Sequence, residues 1–203
     1  MEMPRHKILR RLKRLPDGSV FSAKDLLDLA SRTTVDVLLA ELAKAGTVRR
    51  IGRGLYELPK FNAALGAVLS PDIHNAAQAI ARRQRWKIVP EGAWAANLLG
   101  LSQQVPAKLV YLSSGPKREV QIGGRKVLFK YTTPKTLTGS GEKFSLVVQA
   151  LRYLGKDGVG PAEIEKLRAT LTPAEKKKLL RDTQFGADWI YDVAKTLAEE
   201  ADA

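Results

Sequence analysis

Between Ser31 and Pro59 the apolar positions change period once, and that change marks two kinds of element. Val35, Leu38, Leu39 and Leu42 recur at i, i+3, i+4 and i+7, the spacing that lines one face of an α-helix. Ser31 stands where an N-cap hydroxyl can satisfy first-turn N–H groups, and Gly46 stands where a helix-ending residue takes positive φ. A helix from about Arg32 to Ala45 is predicted. Thr47 to Ile51 and Leu55 to Leu58 then read as two short strands around the turn Gly52-Arg53-Gly54. Upstream, Ile8, Leu9, Leu12 and Leu15 share a face, so residues 4–14 read as a helix with Pro4 in its first turn. The turn Pro16-Asp17-Gly18-Ser19 follows. A short strand over Val20 to Ser22 leads into a second helix, Ala23 to Ala30, capped by Ser22. Helix, strand, helix, helix and hairpin is the winged helix-turn-helix order, and it closes at Pro59. A first domain over residues 1–60 is expected.

The pattern beyond residue 60 is mixed. Ser70-Pro71-Asp72 reads as a helix entry, with an alanine-rich helix running to about Arg85. Trp86 to Val89 reads as a strand, Gly92 to Leu99 as a short helix stopped by Gly100, and Leu109 to Ser113 as another strand. Glu119 to Tyr131 forms two strand-like runs around Gly123-Gly124, a strong hairpin signal. Gly139-Ser140-Gly141 reads as a flexible joint, followed by helical stretches near 142–154, 161–170, 173–183 and 187–200. The expected fold is α+β and mainly helical. It comprises a winged helix-turn-helix, a middle α+β segment (61–140) with a hairpin, and a helical region (141–203), the last two forming a second domain over 61–203.

Charge changes this picture from architecture to partner. The 203 residues carry a formal +13, with a sequence pI of about 10.0, a balance that calls for an anionic partner. Residues 1–60 hold 13 Lys/Arg against 7 Asp/Glu, residues 61–140 hold 11 against 3, and residues 141–203 hold 10 against 11. The polyanion signal therefore lies in the first two-thirds. A hydrophobic share of 44% is enough for a packed core. Cysteine is absent, which rules out disulfides and thiolate metal sites and suits a cytoplasmic protein. No apolar run approaches the roughly 18 to 20 residues of a membrane span, and the basic start lacks the apolar stretch of a secretory signal. No membrane partner is expected, although the first helix is amphipathic enough to lie on a membrane surface.

In a winged helix the start of the third helix enters the major groove. That places Arg32, Thr33 and Thr34 nearest to base edges, arginine suiting guanine and threonine able to donate, accept or meet a thymine methyl. Arg49, Arg50 and Arg53 cluster at the hairpin, where positive charge neutralises phosphates. The alternative reading is a winged helix used as a protein-interaction module, or an RNA-binding factor without operator-specific DNA binding. Each cation of the first helix fits a solvated face as well as a phosphate contact. His6 and His74 are isolated, so no metal is expected. The stretch Gly139 to Lys143 lacks the spacing of a phosphate-binding loop and reads as linker. Asp72, Glu91 and Glu119 are not spaced as a pair, and there is no nucleophile elbow; the chain is expected to be no enzyme and to need no cofactor. Trp86, Trp94 and Trp189 read as core anchors.

Two runs resemble a known family. VDVLLAELAKAGTVRRIGRGLYELP is similar to the end of the winged helix-turn-helix of AbiEi-type antitoxins. GAWAANLLGLSQQVPAKLVYLSSGPKREVQIGGRKVLFKYTTPKTL is similar to the domain that follows it there. The resemblance covers roughly residues 5–140. It implies a bacterial antitoxin of a type IV, abortive-infection-like toxin–antitoxin system. Its winged helix would bind inverted repeats in promoter DNA and repress its own operon. The partner implied is a nucleotidyltransferase-like toxin, countered through the C-terminal region without a stable complex. Carried over by position, DNA contacts fall on Arg32, Thr33, Thr34, Arg49, Arg50 and Arg53.

Overall fold

The structure is a computed structural model that describes residues 3–133, 137 and 142–199. The fold is α+β and mainly helical. Two compact units make it up: residues 1–86 with 120–127, and residues 87–119 with 128–203. The first unit is larger than the segment 1–60 that element order marks off. The added elements are held to it by specific contacts described below.

In the first unit, α1 (Pro4–Leu12), β1 (Val20–Ser22) and α2 (Arg32–Lys44) precede the hairpin β2 (Arg49–Gly52) and β3 (Leu55–Glu57). The strands form an antiparallel sheet in the order β1-β3-β2, so the strand before the helices pairs beside the wing, as in a winged helix. Ile8 and Leu12 of α1 pack with Val35, Leu39 and Leu42 of α2 in one buried cluster. The apolar face of α1 is therefore part of the core. The predicted caps are present: Ser31 Oγ accepts from the Thr34 N–H at 3.3 Å, and Gly46 has φ +74°.

The helix expected over Ala23 to Ala30 is instead a single 3₁₀ turn, Ala23–Leu26, followed by non-helical turns. Two aspartates within these eight residues lower the helix propensity, and Asp25 serves as the capping partner of Ser22 at the start of the turn. The Asp25 carboxylate accepts from the Ser22 N–H at 2.7 Å and its hydroxyl at 3.0 Å. Asp28 takes Arg11 Nη2 at 2.6 Å.

The small hairpin β4 (Phe61–Asn62) and β5 (Ala67–Val68) has no counterpart in the sequence expectations. The Asn62 side-chain oxygen accepts from the Ala64 and Leu65 N–H groups and turns the chain. Next, α3 (Ile73–Gln84) starts where Asp72 Oδ1 accepts from the Asn75 N–H at 2.9 Å. Its alanines bury fully, so its backbone can lie close to its neighbours. Arg82 Nη2 donates to the Val20 carbonyl of β1 at 3.1 Å.

The second unit begins with β6 (Ile88–Pro90), α4 (Gly92–Leu98) and β7 (Leu109–Ser113). The hairpin β8 (Arg118–Ile122) and β9 (Arg125–Tyr131), of which residues 120–127 count with the first unit, completes the strand order β6-β7-β9-β8. The hairpin turns on Gly123 and Gly124, both at positive φ, as a two-residue loop of this type requires. Four helices follow: α5 (Glu142–Leu154), α6 (Pro161–Thr170), α7 (Pro173–Thr183) and α8 (Asp188–Glu199). The Gly139-Ser140-Gly141 joint lies outside the described residues. Ala95 and Ala96 of α4 pack with Val147, Ala150 and Leu151 of α5. Trp94 Nε1 donates to Tyr111 Oη at 2.8 Å, and the Tyr111 and Phe129 rings stack at 5.8 Å.

The start of α7 is a reciprocal cap. Thr172 Oγ1 accepts from the Glu175 N–H, Glu175 Oε2 accepts from the Thr172 N–H at 2.9 Å, and Lys143 Nζ reaches the same oxygen at 3.2 Å. The Thr172 N–H bond leads the interactions that hold the Glu175 carboxyl below its ordinary range. A depressed pKa stabilises the fold above the unfolded value and loses that contribution as pH falls through the folded one. The melting temperature of Glu175→Gln should therefore fall less steeply than wild type when acidified through the carboxylate range. Thr172→Ala should cost about 1 kcal/mol, read by denaturant unfolding.

Candidate nucleic-acid interface

The sequence of α2 divides it into two faces. Val35, Leu38, Leu39 and Leu42 bury, while Arg32, Thr33, Asp36, Val37, Ala40 and Lys44 are exposed. At its first turn, Thr33 is exposed and Thr34 shares a 2.8 Å hydroxyl bond with Ser31. Arg32 Nε donates to Asp36 Oδ2 at 2.7 Å, and Arg5 Nη1 donates to Glu41 Oε2 at 2.8 Å. Both acids of this helix are thus neutralised by arginine, which removes the charge that would repel a phosphate. The Arg32–Asp36 pair is an exposed i,i+4 pair, worth roughly 0.3–0.5 kcal/mol. An incoming base edge can therefore compete for the guanidinium at small cost.

Periodicity does not single out Val37, because it falls between core positions. It stands 56% exposed on the outward face, next to Thr33 on the helical net, where an apolar group can meet a thymine methyl.

The three wing arginines have different surroundings. Arg50 and Arg53 are exposed. Arg49 is opposite Glu57 in the strand register, and its Nε and Nη2 donate to Glu57 Oε2 at 2.9 and 2.6 Å. Its Nη2 also reaches the Leu69 carbonyl at 2.7 Å. Glu57 is only 2% exposed, so its carboxylate needs this partner. Arg49 therefore fastens β2 to β3 and to the chain that follows β5. Only a cross-strand register could reveal that pairing; Arg49 and Arg50 look alike in sequence.

The wing turn is braced from α3. Arg83 Nη1 donates to the Arg53 carbonyl at 3.0 Å and the Gly54 carbonyl at 3.2 Å. Gly54 has φ +68°, a conformation that favours glycine, and a Cβ there would stand 2.9 Å from Arg83 Nη1 and displace that brace. The Arg83 carbonyl in turn accepts from Lys24 Nζ at 3.1 Å. The wing turn, with Arg53 at its tip, is thereby tied to α3 and through it to Lys24.

The first helix contributes less than its charge suggests, since Arg5 and Arg11 pair with Glu41 and Asp28. His6 lies exposed on α1 and His74 half-buried on α3. Among the described residues no group of three or more His, Asp or Glu side chains converges to hold a metal ion.

The model of a family of unknown function (DUF6088) matches residues 7–179. Among curated proteins nothing matches the chain.

Arg49→Ala should behave as a folding mutation. Leaving Glu57 buried without its partner should cost about 3 kcal/mol, the low end for a broken buried pair, because Arg49 is one-third exposed. Arg50→Ala and Arg53→Ala should stay within about 0.5 kcal/mol of wild type in the same urea titration.

Proposed function

We propose that the chain, which belongs to the DUF6088 family, binds double-stranded DNA through its winged helix and acts as a self-repressing antitoxin. The observation that carries this reading is the pairing of a braced, arginine-tipped wing with a helix face whose acids are neutralised. A wing that presents Arg50 and Arg53 suits phosphates on either side of a groove. The start of α2, with Arg32 and Thr33 outward, suits base edges. Thr34 takes part in the cap and positions that first turn, and Arg49 supports the wing from within. The antitoxin part of the reading rests on the resemblance to AbiEi-type antitoxins. Its partner is a nucleotidyltransferase-like toxin, neutralised without a stable complex.

A protein-docking platform is favoured by one observation, the exposed Val37 on the same face. Such a platform would bind duplex DNA weakly and without sequence preference.

Arg32→Ala should lose discrimination at one base position by about 1–3 kcal/mol, while Arg53→Ala should weaken cognate and scrambled duplexes equally. Gel shifts on DNA from upstream of the chain's own gene and on a scrambled copy measure both. Equal losses for the two variants would remove the role assignment. Co-expression with a nucleotidyltransferase-like toxin gene found next to its own should restore the growth of cells that the toxin alone arrests.

A further inference from the structure

A second basic hairpin lies against the edge of the wing. Residues 120–127 belong to the same compact unit as the winged helix, and they carry the tip of the β8–β9 hairpin. The Gly123 N–H donates to the carbonyl of Ile51 at 3.1 Å. Ile51 sits at the register irregularity of β2, which is one of the two outer strands of the wing sheet. The approach is close on both sides. A Cβ on Gly52 would stand 3.1 Å from the Gln121 carbonyl, and one on Gly123 would stand 3.0 Å from Pro71 Cγ. Gly123 also has φ +54°, so the docked tip requires glycine twice over. Ile122 and Val127, flanking the turn, are fully buried, while Arg125 and Lys126 are exposed.

The charge pattern gives this docking a purpose beyond packing. Residues 42–56 contain no Asp or Glu, nor do residues 120–130. The fold thus brings two acid-free, cationic segments together at Ile51 and Gly123. Like charges held close repel one another, and a polyanion lying across both relieves that repulsion.

We propose that the β8–β9 tip is a second phosphate-contacting finger, with Arg125 and Lys126 extending the surface of Arg50 and Arg53 along duplex DNA. This deepens the DNA-binding reading and rests on it. The finger contributes affinity without sequence preference, since it offers long, flexible cations to the backbone rather than a rigid edge to the bases. It also accounts for part of the basic excess of residues 61–140, which the wing alone leaves unexplained.

The test uses the full chain and a fluorescently labelled random-sequence duplex of about 30 base pairs, titrated between about 50 and 200 mM salt. The double variant Arg125→Gln/Lys126→Gln should lower the magnitude of the log K against log salt slope by about 1.8, or roughly 0.9 for each lost phosphate contact. Its melting temperature should stay within a few degrees of wild type, since both side chains are exposed and an exposed pairing contributes little. Arg125→Glu/Lys126→Glu should lower affinity further. A double glutamine variant that keeps the wild-type slope while Arg50→Gln/Arg53→Gln loses it overturns the finger and leaves the winged-helix reading standing. A wild-type chain that binds no duplex at any of these salts overturns both.

Discussion

The carboxylate of Glu57 is buried at the end of the central strand of the wing sheet, and its charge has to be met from inside the fold. Arg49 meets it across the β2–β3 register, then uses the same guanidinium to hold the Leu69 carbonyl. Because a broken buried pair is far costlier than an exposed one, this contact pins the base of the wing to the rest of its unit. The tip is pinned separately by Arg83 through the Arg53 and Gly54 carbonyls. Arg50 and Arg53 are thus presented from a wing anchored both at its base and at its turn. Preorganisation of this kind lowers the ordering cost of binding.

A division of labour among cations follows. Arg5, Arg11, Arg49, Arg82 and Arg83 all bond to backbone or carboxylate groups within the first unit. The formal +13 is therefore not a uniform coat. Some of the charge holds the winged unit together, and some, at Arg50, Arg53 and Arg125, lies exposed on two hairpins that meet at one strand edge. That concentration, more than the total, distinguishes this chain from a generally basic protein.

Local chemistry made much of the fold legible. The α2 helix could be read from the Ser31 cap, the i, i+3, i+4, i+7 apolar stripe and Gly46. The β8–β9 turn could be read from Gly123-Gly124. These signals act within a few residues, so no distant partner was needed to interpret them. The 3₁₀ turn at Ala23–Leu26 escaped because the Ser22–Asp25 cap signals where a helix starts and not how far it runs. The β4–β5 hairpin escaped because its strands are two residues long and carry no alternating pattern.

For the interface the same division holds. Residue order was sufficient to place a basic hairpin after an amphipathic helix, because turn glycines and helical periodicity are short-range properties. It could not separate Arg49 from Arg50, since adjacent strand residues point to opposite faces and only the pairing register says which meets Glu57. Nor could it bring Gly123 to Ile51 across some seventy intervening residues. Contacts of that range follow from packing of the assembled elements, and no local pattern of residues encodes them.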